Sequence, residues 1–115
     1  MREVDYYKTA AGDEPVREFL DSLQPKVVQK IVWVLGLIED LPRIPKQYFK
    51  KLSGTDDIWE VRIDFGNDTF RLLGFFDRGN LVILTNGFAK KRDRVPQSEI
   101  RIAEDRKSEY LRRKR

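Results

Sequence analysis

Phe88 to Arg94 reads F-A-K-K-R-D-R, four cations in seven residues, just after the apolar run Leu81-Val82-Ile83-Leu84. Lysine and arginine at this density suit a polyphosphate, because each cation displaces condensed counterions, and Phe88 offers a face on which a base can stack. The same run also fits a solvated turn, the commoner fate of a charge cluster. Earlier in the chain, Glu60 and Arg62 alternate in W-E-V-R, and Arg71 follows in F-R-L-L. Two guanidinium groups and one or two ammonium groups beside a carboxylate can grip a scissile phosphate and stabilise the added charge of its transition state. Plain ion pairing on a wet sheet, Glu60 with Arg62 and Asp64 with Arg71, accounts for the same residue types without chemistry.

These side chains converge only if the elements that carry them are strands in the right register. Val4 to Thr9 alternates weakly at period two and reads as a first strand. Ala11-Gly12-Asp13 breaks it; Asp13 is a candidate N-cap, Pro15 falls in the first helical turn, and Val16, Phe19, Leu20 and Leu23 recur at helical spacing. After Gln24-Pro25, a second helix carries Val27, Ile31, Leu35, Ile38 and Leu41 in steps of three or four. Val28, Val32 and Val34 widen its stripe, as expected of a helix packed on both its neighbour and a sheet. Pro42 and Pro45 end it. Lys50 to Gly54 reads as a polar connection. Strands follow at about 57–65, 69–77 and 80–89, separated by the turn signals Gly66-Asn67-Asp68 and Asp77-Arg78-Gly79-Asn80, which predicts an antiparallel meander. Pro96 to Glu99 opens a last helix with Ile100, Ala103, Lys107, Tyr110 and Leu111 on one side, and Arg112 to Arg115 are expected to fray. The expected fold class is α+β in one domain over residues 1–115: an N-terminal strand, a helical hairpin, a three-stranded antiparallel meander completing one sheet, and a C-terminal helix.

Alternation along the strands sorts the side chains by face. Trp59, Val61, Ile63 and Phe65, with Phe70, Leu72 and Phe76, form the side that the helical hairpin must cover. A two-residue turn at Asn67-Asp68 pairs Phe65 with Phe70 and Ile63 with Leu72, which sets Arg62 and Arg71 diagonally close on the other side. There Leu73, Phe75, Val82 and Leu84 form an apolar end under the last helix, and Glu60, Arg62, Arg71, Asn86 and Lys90 a polar end, with Lys91 and Arg92 at its lip. A β-bulge near Gly87 would exchange Phe88 and Lys90 for Ala89 and Lys91.

Composition narrows the chemistry. The 115 residues are 37% charged with net charge +4, and contain no Cys and no His. Disulfides, thiolate metal sites, the commonest zinc ligand and the usual acid–base side chain for neutral pH are therefore all absent. Residues 88–115 hold 11 Lys/Arg against 5 Asp/Glu, whereas residues 1–87 hold 12 against 14, so the positive charge is concentrated at the C-terminal end. That asymmetry is the electrostatic footprint of a nucleic-acid binder, and ordinary helical tails share it. No apolar stretch approaches the roughly 20 residues that span a bilayer, and the N-terminus lacks an apolar signal core. A cytoplasmic protein without membrane contact is expected.

Taken together, Trp59-Glu60-Val61-Arg62, Phe70-Arg71-Leu72-Leu73, Gly87-Phe88-Ala89-Lys90-Lys91 and the closing Pro96…Glu99-Ile100…Ala103…Arg106…Tyr110 resemble the RelE/HigB toxin superfamily, and more closely its phage-derived Gp49-like, HigB-type branch. The likeness extends over nearly the whole chain, including the helical hairpin, and implies a RelE/ParE-like fold. It implies the toxin of a type II toxin–antitoxin pair, a ribosome-dependent mRNA endonuclease that cuts by 2′-hydroxyl attack without metal or small-molecule cofactor. The implied partners are the ribosome with its mRNA and a cognate helix-turn-helix antitoxin. By the same resemblance Arg71 contacts the phosphate and transition state, and Lys90 and Lys91 neutralise phosphate charge or protonate the leaving group. Glu60 and Arg62 stand at polar catalytic positions, with Glu60 as provisional general base. Lys50 and Lys51 match a basic loop that meets RNA, and Phe88, Arg92 and Arg94 extend the RNA contact. The chain departs from several relatives in having no His, and Tyr110 falls in the packing stripe of the last helix. Two other functions fit the same chain: a ParE-type toxin that inhibits gyrase, and a non-catalytic, phage-derived nucleic-acid-binding protein.

Overall fold

A computed structural model describes residues 1–90 and 93–114. The element order is β1 (Glu3–Tyr6), α1 (Pro15–Asp21), α2 (Pro25–Asp40), β2 (Phe49–Lys51), β3 (Trp59–Phe65), β4 (Asp68–Asp77), β5 (Leu81–Lys90) and α3 (Gln97–Lys114). The strands form one five-stranded sheet in the order β1-β5-β4-β3-β2. β1 runs parallel to β5 and every other pairing is antiparallel. The α+β architecture is the one read from the sequence.

Both hairpin helices begin with proline, whose fixed φ suits a first turn and whose missing N–H is not needed there. Glu14, not Asp13, occupies the N-cap of α1; its carboxylate pairs with Arg17 at 2.9 Å, while the Asp13 N–H donates to the Thr9 hydroxyl. α2 stops at Leu41, whose extended ψ of 134° is what the following Pro42 imposes. Val27, Ile31, Val34, Leu35 and Ile38 are buried. Val32, expected to widen that stripe, is instead 54% exposed, because the helix packs on the sheet through one side only.

The segment expected as a polar connection, Lys50 to Gly54, overlaps β2. Phe49 points into the core opposite Val61 and stacks on Trp59 with ring centroids 4.7 Å apart. A three-residue strand with one apolar residue carries no period-two signal, which explains the miss. The β3–β4 turn is also displaced: Gly66, at φ 62°, and Asn67 form it, so Phe65 pairs with Asp68 and Ile63 with Phe70. The register differs by two residues from expectation. An even shift keeps every side chain on its face.

On the hairpin side, Val61, Ile63, Phe70, Leu72, Val82 and Leu84 pack against Val16, Leu20, Ile31, Val34, Leu35 and Ile38. Gly87 is part of this contact, since a Cβ there would lie 2.5 Å from Cδ2 of Phe19. α3 covers part of the opposite side, where Ile58, Leu73, Ile100 and Ala103 form one cluster and Tyr7, Phe75 and Ile83 another. Ile83 therefore takes the place expected for Val82 and Leu84. The cause is a register shift between Leu73 and Gly74, which leaves Thr85 as an extra residue in β5 and reverses the alternation beyond it. The bulge lies two residues before the suspected position, and Phe88 and Lys90 keep the face read for them. Of the residues expected to fray, Arg113 and Lys114 are docked, Lys114 pairing with Asp77 at 2.7 Å and Arg113 pairing with Glu109 at 2.9 Å and donating to the Lys8 carbonyl, and Arg115 lies outside the described residues.

Candidate active site

The register lays three rows of side chains across the α3 side of the sheet. Lys50, Glu60, Leu73 and Asn86 are opposite one another; then Arg62, Arg71 and Phe88; then Asp64, Thr69 and Lys90. Each row crosses adjacent strands, so members of one row stand about 4.5–5.5 Å apart at Cβ. Arg62 and Arg71 are thus directly opposite rather than diagonal. Two guanidinium groups so placed repel, and each turns toward a carboxylate on β3. Arg71 Nη1 donates to Glu60 Oε2, and Arg62 Nε donates to Asp64 Oδ1 at 3.3 Å. This is the reverse of the pairing expected, and the two-residue change of register is the reason.

The two pairs differ in their surroundings. Arg62 and Asp64 are solvent-accessible. Glu60 is 1% exposed and Arg71 3%. A buried carboxylate and guanidinium persist together because removing either strands the other's charge in a medium that solvates it poorly. Arg71 Nε has no hydrogen-bond acceptor, alone among buried side-chain polar atoms of the described residues. An unmatched buried donor costs about 1–3 kcal/mol. The guanidinium is thus anchored through one nitrogen, and its Nε donor is unmatched and shielded from solvent.

Lys90 stands at the same end with its side chain 11% exposed, and its ammonium is 4.0 Å from the Asp93 carboxylate. Burial, followed by the charges of Arg71 and Arg62, holds Lys90 below the ordinary lysine value, and Asp93 and Glu60 offset this only in part. Burial pulls Asp64 upward, but the Thr69 hydroxyl, which donates to it at 2.8 Å, and the Arg62 guanidinium outweigh that and keep its carboxyl below the usual value. A sheet face with three cations, one of them resisting its charge, favours the arrival of an anion.

The structure therefore brings Glu60, Arg62, Arg71 and Lys90 together. Phe88 follows Arg71 in its row and is half-buried against the cluster of Ile58, Leu73, Ile100 and Ala103. Asn86 is held by α3: its Nδ2 donates to Glu99 Oε1 at 3.0 Å, and its Oδ1 accepts from the Thr85 hydroxyl at 2.6 Å. Lys50 is exposed at the β2 edge opposite Glu60. Lys51 belongs to the next pairing and forms a 2.6 Å ion pair with Asp57, a bond that lowers the Asp57 carboxyl. Arg94 is exposed. Lys91 and Arg92 lie outside the described residues. Thr69 is the site residue that the sequence reading left without a role; its position on the face of Arg71 was the available signal. Among the described residues no group of three His, Cys, Asp or Glu side chains could hold a metal ion, and no helix is long and apolar enough to cross a membrane.

No curated protein matches the chain. The family model described as phage derived protein Gp49-like (DUF891) matches residues 18–108, a span that contains α2, all of β2 to β5 and most of α3, and with them every residue of the convergent group. The chain belongs to the phage-derived Gp49-like family.

Proposed function

We propose that the chain is the toxin of a type II toxin–antitoxin pair and cuts ribosome-bound mRNA by making the message's own ribose 2′-hydroxyl the nucleophile. The observation that carries this reading is the Arg71 guanidinium, fixed by Glu60 and left with an unmatched Nε, with Arg62 across from it and Lys90 on the next strand. The 2′-oxygen attacks the adjacent phosphorus while the bond from phosphorus to the 5′-oxygen of the next nucleotide breaks. The products are a 2′,3′-cyclic phosphate and a 5′-hydroxyl. The solvent-accessible Arg62 contacts a non-bridging oxygen, and the buried Arg71 guanidinium behind it stabilises the growing charge through its field. Lys90, which gives up its proton more readily than a surface lysine, supplies the proton of the departing 5′-oxygen. The 2′-proton passes to water. Glu60 is assigned to holding Arg71 in place, because its Oε2 already accepts from that guanidinium. Alignment and charge stabilisation supply most of the rate in this scheme.

Such an activity requires a masking partner in the cell that makes it, and a helix-turn-helix antitoxin fills that role. The test is to map mRNA 5′ ends in translating cells after brief induction. The wild type is expected to generate new ends within translated regions, and Arg62→Ala, which removes a solvent-accessible side chain, to reduce them at least tenfold. DNA damage with intact mRNA would favour gyrase inhibition and overturn the cleavage reading.

A further inference from the structure

Arg62 belongs to two surfaces. On the sheet it faces Arg71. At the edge of β3 it also lines a hollow of roughly 330 Å3 with Lys30, Gln47, Tyr48 and Asp64. The hollow exists because β2 begins only at Phe49, opposite Val61, so β3 beyond Arg62 runs as an open edge. The Arg62 N–H donates to the Tyr48 carbonyl at 2.9 Å, and the Lys30 ammonium reaches across from α2 to the Asp64 carbonyl.

The rim carries a second feature. Lys30 and Trp33 are three residues apart on α2 and so share one side of it. Trp33 is 53% exposed, although burying an indole is worth more than burying almost any other side chain. Its ring stands edge-on to Tyr48, with centroids 6.0 Å apart. Tyr48, two cations, a side-chain amide and the Asp64 carboxylate thus line one cavity, Trp33 stands beside it against Tyr48, and one of the cations is shared with the candidate active site.

We infer that this hollow binds the nucleotide adjacent to the scissile linkage in a single-stranded RNA. The base lies against Tyr48 and Trp33, the Gln47 amide contacts its edge, and Lys30 and Arg62 take the phosphate. The inference rests on the cleavage reading and deepens it by giving the neighbouring nucleotide a place. An aromatic face beside cations suits a polyanion with flat bases. A protein docking on α2 would use Trp33 with the neighbouring, equally exposed Val32, and would have no need of Lys30, Gln47 and Arg62.

Trp33 and Trp59 are the two tryptophans of the chain, so Trp59→Phe leaves Trp33 as the only indole reporter. Titrating that variant with a short single-stranded RNA at low salt is expected to quench Trp33 emission. In the otherwise native chain, Trp33→Ala is expected to weaken binding of the same end-labelled RNA by about 5- to 150-fold, the range for one lost base stack, and Trp33→Phe to restore most of it. Gln47→Ala is expected to change which base lies beside the mapped cuts. Absent quenching, or equal RNA affinity in Trp33→Ala and wild type, overturns the inference. Cleavage by Trp33→Ala at wild-type rate and base preference also overturns it and assigns the patch to a protein partner. RNA binding that depends on Trp33, without mRNA cleavage that depends on Arg62, would instead retain the binding site and defeat the cleavage reading.

Discussion

The Glu60 carboxylate and the Arg71 guanidinium meet as an ion pair from which water is almost wholly excluded. Arg71→Ala and Glu60→Ala each strand one buried charge and are expected to destabilise the fold by about 3–5 kcal/mol, read as a lower urea midpoint. The double variant Glu60→Leu/Arg71→Met, which replaces both charges with apolar groups, is expected to unfold at higher urea than either single variant and to cleave no mRNA. Loss of activity in that well-folded background is what separates the chemical role of Arg71 from its structural one. Single variants with a wild-type midpoint would show that the pair does not hold the site together.

Lys90 gives a prediction of opposite sign for stability. Burial and the two guanidinium groups lower its folded value, so just below the ordinary lysine value the unfolded chain binds more protons than the folded one. Stability attributable to Lys90 therefore rises with pH through that window, and at neutral pH its charged form opposes folding. Lys90→Met is expected to leave the thermal midpoint unchanged or to raise it, while cutting mRNA cleavage at least tenfold. A variant that melts earlier yet cleaves normally would contradict both assignments.

The faces of β3 and β4 were legible because Trp59, Val61, Ile63 and Phe65 alternate with charged residues, and a register error of two leaves alternation intact. That same error hid which acid each arginine meets, since ion pairing depends on register and not on parity. β5 was harder. Leu81 to Leu84 are all apolar, so nothing in that run says which side chains face which helix, and the extra residue at Thr85 has no composition signal. The burial of Glu60 and Arg71 was illegible for a related reason: charged residues read as surface until a partner is known. The exposed Trp33 is the converse, an apolar residue whose type suggests a core and whose position on α2 places it at the rim of the hollow.

The bulge has a consequence that can be measured. Thr85 and Asn86 join β5 to α3: the Arg106 guanidinium donates to the Thr85 carbonyl at 2.8 Å, and Asn86 holds Glu99. Asn86→Ala leaves the Glu99 carboxylate without this donor beside a buried surface. It is expected to cost about 1–2 kcal/mol and to speed amide hydrogen exchange in the first turns of α3 more than in α2. Uniform acceleration across the molecule would mean that Asn86 serves global packing and not the seating of α3.

At the other end of α3, Asp77 accepts from the Lys114 ammonium at 2.7 Å and from the Tyr110 hydroxyl at 2.7 Å. The Lys114 bond first, then the Tyr110 bond, hold the Asp77 carboxyl below its usual value despite burial. A depressed carboxyl stabilises the fold above its unfolded value, about 3.9, and loses that contribution as pH falls through the folded one. The difference in thermal midpoint between wild type and Asp77→Asn is therefore expected to be largest near neutral pH and to shrink below about pH 4. Tyr110 responds at the opposite extreme. Burial, with the bond to Asp77 next, pushes its phenol up to about 12, so its contribution is complete below the ordinary tyrosine value and is lost as pH rises toward the folded one. In a phenolate absorbance titration of the four tyrosines, one is expected to ionise near 12 and to ionise earlier in Asp77→Asn. If Asp77→Asn left that last ionisation where it was, the Tyr110–Asp77 bond would not be what anchors the end of α3.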